Sequence, residues 1–184
     1  MVIAYKNFWS LNVDEAMVIG ILRGYFPKHI EVLMPTNAQL KDVDLVVINL
    51  KNKKSVTLQV KGSRAYEPGK NEVAKFGAGS NGWFFFHKKV IDKCTADYFI
   101  FIMEILTQSK KNGRRYIEPH IITIPTKKIR DLGRKNKLTH GDKMYSFLFW
   151  INPQKKEAFD RRDKKYYVTK YLDNNGLSKL VKSL

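Results

Sequence analysis

Two short apolar runs constrain this chain most: Leu45-Val46-Val47-Ile48 and Val56-Thr57-Leu58, separated by Asn49 to Ser55. β-branched runs of this length, bounded by Asn and Lys clusters, favour paired strands over a helix, so the segment reads as a β-hairpin. A turn centred on Asn52 and Lys53 pairs residues whose numbers sum to 105 and sets Asp44 opposite Lys61. Side chains alternate across a strand, so Gln59 and Lys61 share a face. A carboxylate, an amide and an ammonium then converge at the open end of the hairpin. A slip of one residue would turn them apart.

The rest of the chain reads as alternating elements. Asn12 to Phe26 has helical spacing at Val18, Ile19 and Leu22, with Asn12 as its cap and Pro27 as its stop. His29 to Met34 reads as a strand. Gly62 to Gly82 is rich in glycine and reads as a long loop with one helical turn near Asn71 to Phe76. Trp83 to His87 and Asp97 to Ile105 are near-continuous apolar strands, which suggests burial on both faces. Tyr116 to Ile124 is a further strand, Thr126 to Asn136 a basic helix, and Met144 to Asn152 a last apolar strand. Gln154 to Lys165 reads as an exposed turn or loop, and Leu177 to Leu184 as a short helix. This order predicts a mixed α+β fold, a central mixed sheet with helices on its faces, in a single domain over residues 1–184.

Charge bounds the function. The chain carries 34 basic and 17 acidic residues, a net +17. Residues 1–104 contribute +4 and residues 105–184 contribute +13. A strongly basic C-terminal half points to a polyanion, nucleic acid first, either DNA or RNA. A solvated basic surface is the plainer reading of the same residues. Hydrophobic residues make up 43% of the chain, enough for a core, yet no stretch has the length of a membrane span. Met1 to Ser10 lacks the order of a secretory signal, and the single Cys94 excludes an internal disulfide; both fit the cytoplasm.

The arrangement of Asp44, Gln59, Val60 and Lys61 resembles the PD-(D/E)XK nuclease superfamily, in a variant with Gln where the ExK element has Glu. Glu15, on the helix before the hairpin, matches an acidic position found in many members. The resemblance covers residues 12–62 well and Trp83 to Leu106 loosely. It implies a restriction-endonuclease-like core: a helix, a three-strand meander, a helix and a further strand. It also implies a metal-dependent DNA endonuclease. Asp44, Gln59, Glu15 and the Val60 carbonyl would hold Mg²⁺ or Mn²⁺, and Lys61 would assist the attacking water. Enzymes of this type often cut as dimers, which makes a homodimer an expectation.

Each candidate has a structural reading beside the chemical one. Asp44 opens an apolar strand, where a charge is costly without a partner, but a strand-edge Asp can simply face water. Asp42 is its rival on the same face. Gln59 binds a cation less strongly than Glu and also suits a half-exposed strand. Lys61 can offset charge at a phosphate or end a strand in solvent. Glu15 lies on the stripe of Val18 and Leu22, and Asn12 to Glu15 also has capping-box spacing. Arg64, Lys70, Lys75, Lys127, Lys128, Arg130, Arg134 and Lys135 are candidate phosphate contacts. The alternatives to an enzyme are a non-catalytic nucleic-acid-binding protein and an assembly protein that binds RNA. Gly77 to Gly82 matches GxGxxG but leads into a strand, not a helix. The four histidines lack metal-ligand spacing, and Cys94 has no visible helper.

Overall fold

A computed structural model describes residues 12–36, 42–64, 66–109, 111–135, 139–140, 143–162 and 166–184. Helix α1 (Val13–Tyr25) starts where Asn12 accepts a hydrogen bond from the Asp14 N–H at 3.1 Å, which satisfies a free donor of the first turn. Strands β1 (Ile30–Leu33), β2 (Leu45–Asn49) and β3 (Ser55–Ser63) form an antiparallel meander. Helix α2 (Lys70–Phe76), strand β4 (Ser80–His87) and helix α3 (Lys88–Lys93) lead to β5 (Tyr98–Gln108), which runs parallel to β3. Strand β6 (Arg115–Pro125) pairs antiparallel with β5. These strands form one five-stranded mixed sheet in the order β1-β2-β3-β5-β6.

A second sheet has β4 at its edge. Helix α4 (Thr126–Lys135) is followed by β7 (Thr139–His140), β8 (Met144–Asn152) and β9 (Glu157–Asp160), with β8 pairing to β4, β7 and β9. Helix α5 (Asp173–Ser183) ends the chain. Strand alternation divides the core in two. Val18 and Leu22 of α1 and Leu177 and Leu180 of α5 pack on Leu45, Val47, Val56, Leu58 and Val60. On the other side of the first sheet, Phe99, Phe101 and Met103 of β5 meet Phe84, Phe86, Phe147 and Phe149 of the second. The sheets approach closely at Gly82, where a Cβ would sit 2.3 Å from the Met103 Sδ. Among the described residues no helix is long and apolar enough to cross a membrane.

The mixed sheet flanked by helices, α1 and α5 on one side and α3 and α4 toward the other, agrees with the mixed α+β class expected. Several expectations change. The segment from Gly62 to Gly82 holds the expected helical turn as α2 (Lys70–Phe76), but its ends are not loop: they are the last two residues of β3 and the start of β4. Glu157 to Asp160 is a strand, because β8 offers it a free edge; Ala158 and Phe159 are buried there. Trp83 to His87 is buried on one face only: Phe84 and Phe86 point to the core, while Trp83 and Phe85 are 49% and 45% exposed. Four adjacent aromatics hid a simple alternation.

Candidate functional site

The hairpin register differs from the expected one by two residues. Leu45 faces Leu58 and Val47 faces Val56, so paired numbers sum to 103. Two asparagines set the turn. Asn49 Oδ1 accepts from the Lys51 N–H at 3.0 Å and Asn52 Oδ1 accepts from the Lys54 N–H at 2.9 Å. Lys53 takes the left-handed conformation, φ 62°, and Asn52 Nδ2 donates to the Leu184 carbonyl at 2.6 Å. A shift of two keeps every side chain on its face, so the expected cluster forms with altered partners.

Asp44 is its centre. Its backbone N–H donates to the Leu58 carbonyl at 2.8 Å. Its Oδ2 accepts from the Val60 N–H at 2.8 Å and from the Gln59 amide. Lys61 Nζ lies 4.0 Å from the same oxygen. In an extended strand the N–H and C=O of one residue point to the same edge, so the Val60 carbonyl also lies on the Asp44 side. Burial is graded across the group. Gln59 is 3% exposed, the Asp44 side chain 13% and the Lys61 side chain 32%, so the ammonium forms the open rim.

Gln59 and Lys61 alternate onto the face shared with Phe99 and Phe101, their neighbours on β5. Glu15 is buried on the stripe of Val18 and Leu22, which packs on the opposite face. Its neighbour Asp14 lies against Gly62, where a Cβ would come within 1.9 Å of Oδ2. Asp44, Gln59 and Lys61 are therefore gathered together, and Glu15 is set on the helix side of the sheet. Asp42 is near by: its carbonyl accepts from Cys94 Sγ at 3.9 Å. Burial raises the Cys94 thiol above its usual pKa, which suits a packed thiol and not a nucleophile.

The donor set suits a hard cation held sparsely. Mg²⁺ commonly takes one or two carboxylates and keeps waters or substrate oxygens in its remaining positions. Here Asp44 supplies one carboxylate, and the Gln59 amide turns its N–H toward it. Among the described residues no group of three or more His, Cys, Asp or Glu is placed to hold a metal.

The basic candidates separate into two kinds. Arg64, Lys70, Lys75, Lys127 and Lys128 are exposed. Arg130 instead donates through Nε to the Ile91 carbonyl at 3.0 Å and through Nη2 to the Cys94 carbonyl, so it fastens α4 to the end of α3. Arg134 pairs with Asp92 at 2.7 Å across the same junction. Lys135 is the last residue of α4. Of the tyrosines near the C-terminus, Tyr171 is buried and Tyr167 is 55% exposed; Lys164 and Lys165 lie outside the described residues.

Sequence reasoning passed over one pair. His120 Nδ1 lies 2.8 Å from Asp173 Oδ2, and Asp173 Oδ1 accepts from the Ile121 N–H at 2.9 Å. Glu118 lies 3.8 Å from His120 Nε2. Burial disfavours the imidazolium, but the Asp173 hydrogen bond and the two carboxylate charges outweigh it and raise the His120 pKa. Nothing local links residues 53 apart, so no sequence signal was present. Comparison with family models, with curated proteins and with solved structures gives no match.

Proposed function

We propose that the chain is a metal-dependent endonuclease that hydrolyses phosphodiester bonds in DNA, built on a restriction-endonuclease-like core. One observation carries the reading: the Gln59 amide, the Val60 N–H and the Lys61 ammonium converge on a single oxygen of Asp44, just before β2. The order helix, antiparallel meander, crossover and parallel strand supports it, and so does the net charge of +17. Asp44 and the Val60 carbonyl would hold the ion, joined by the Gln59 oxygen once that amide turns from donating to Asp44. Bound there, Mg²⁺ or Mn²⁺ supplies Lewis-acid polarisation of the phosphate and a more acidic water. Asp44 fixes the position of the backbone at Val60 and of the Gln59 amide. Lys61, the open member, binds a non-bridging phosphate oxygen and offsets the charge that grows on it during attack. Arg64, Lys70 and Lys75, beyond the end of β3, would hold the flanking backbone.

The test is cleavage of supercoiled plasmid with Mg²⁺. Asp44→Ala and Lys61→Ala are each expected to lose at least about a hundredfold in rate, the scale for one preorganised charged group. Parent-like cutting by both variants would discard this site.

A second reading has its own support. The Gln59 amide N–H and the Val60 N–H both point at Asp44 Oδ2, so the carboxylate has partners without a metal. On that reading the protein binds nucleic acid without cutting it. Salt-sensitive DNA binding with no metal-dependent nicking would select it.

A further inference from the structure

Two residues beyond Lys61 on the same face of β3, Ser63 accepts a hydrogen bond from the Trp83 N–H at 3.0 Å. This joins β3 to β4, the edge strand of the second sheet. Ser63, Arg64, Tyr66, Asn81 and Trp83 line a shallow cleft of about 290 Å³ at that junction. Its aromatic walls are fixed. Tyr66 and Trp83 have ring centroids 5.8 Å apart at an interplanar angle of 40°. The Tyr66 hydroxyl donates to Glu72 at 2.8 Å, and Arg161 holds the other Glu72 oxygen at 2.7 Å. Asn81 is buried at the base of the cleft, next to the Phe149 carbonyl.

The Trp83 indole packs on Tyr66 and is still 49% exposed, so part of a positioned aromatic surface faces solvent. Phe85 stands next along the same outer face, also half exposed, about 7 Å away by strand rise. Beside it, the Arg162 guanidinium donates to Ser146 Oγ at 2.6 Å. α2 covers the far part of this face, where Phe76 packs on Trp150 and Phe159. Trp83 and Phe85 keep about half of their surface exposed.

We propose that this face holds unstacked bases of single-stranded DNA, with one base stacked on the open surface of Trp83, at the cleft that Tyr66 and Arg64 line, and the next over Phe85. Flat rings in fixed positions lose little freedom on binding, and every base offers a face to stack on. The cation that lines the cleft, Arg64, and the rim cation three residues before it, Lys61, match the adjoining phosphates. An apolar partner would gain nothing from either charge. The position of the cleft beside Lys61 rests on the nuclease reading only for its purpose: it would hold a strand whose neighbouring phosphate reaches Asp44.

The experiment uses the full chain, a fluorescein-labelled dT12 oligonucleotide and a duplex of equal length, read by anisotropy in EDTA so that no cleavage intervenes. The expected result is that Trp83→Ala weakens dT12 binding about tenfold or more, the scale of one stacked base, while duplex binding changes less than about twofold. Trp83→Phe keeps most of the affinity, and Phe85→Ala gives a smaller loss in the same direction. Trp83 is at the surface, and an unchanged melting temperature establishes that the variant folds. Equal dT12 affinity of parent and Trp83→Ala overturns the proposal. So does equal loss on both ligands, or concentration-dependent dimers that Trp83→Ala abolishes while dT12 binding persists. Plasmid nicking that fails in every protein, with Trp83-dependent dT12 binding intact, removes the nuclease reading and leaves the cleft.

Discussion

At the residue scale, position 59 decides what the cluster can do. A buried amide beside Asp44 donates a hydrogen bond and carries no charge. A carboxylate at the same place would face Asp44 with like charge and little water, which costs free energy until a cation arrives. Gln59→Glu is therefore expected to destabilise the metal-free protein by about 1 to 3 kcal/mol. For a chain of this size that lowers the melting temperature by several degrees. Mg²⁺ or Mn²⁺ should then raise it, and by more than in the parent. A melting temperature in the variant that no divalent ion shifts would mean that a cation does not bind at Asp44. The residue also illustrates what was legible. The face shared by Gln59 and Lys61 followed from alternation alone. The partners did not, because the turn residues Asn49 and Asn52 moved the register by two.

At the element scale, the C-terminal helix is tied to the sheet through a pair of residues far apart in the chain. Asp173, at the start of α5, has φ 43° and spans His120 and the Ile121 N–H of β6. The folded His120 pKa is raised above its ordinary 6.5. Its contribution to stability is then complete below the unfolded value and fades as pH rises through the folded one. The melting-temperature gap between the parent and His120→Gln should be widest below about pH 6 and narrow toward about pH 8. At low pH the gap is expected to correspond to about 1.5 to 3 kcal/mol, the scale of a hydrogen bond to a charged group. A gap that is constant with pH would show that the imidazolium is not the linked species. Burial and edge pairing also explain the elements that local pattern missed. Glu157-Ala158-Phe159-Asp160 has no strong strand signal and becomes a strand because β8 is beside it. The six-residue α3 is too short for its periodicity to be read.

At the scale of the whole molecule, charge is the dominant fact. With +17 on 184 residues, association with DNA should release many counterions. A plot of log affinity against log salt for a duplex is expected to be linear and steep, with a slope of about −4 or beyond, since each neutralised phosphate adds about −0.9. Lys127→Glu combined with Lys128→Glu, both exposed on α4, should make the slope shallower. Arg130→Gln should instead lower the melting temperature, because its guanidinium holds two carbonyls at the α3 end. A slope near zero would remove polyanion binding altogether. The two roles cannot be told apart by residue type. Arg130 and Lys128 are neighbours in a basic helix, and only packing decides which one meets solvent.

The sequence alone determined the hairpin, the shared face of Gln59 and Lys61, the caps and stops of α1, the order of most elements and the excess of positive charge. Each of these depends on spacing within a few residues or on composition. Tertiary structure decided the rest: the division of the described strands into two sheets, the partners of Asp44, the side of the sheet that Glu15 occupies, and the exposure of Trp83 beside Tyr66. Those outcomes depend on contacts between segments distant in the chain, where no local periodicity specifies which surface will be covered.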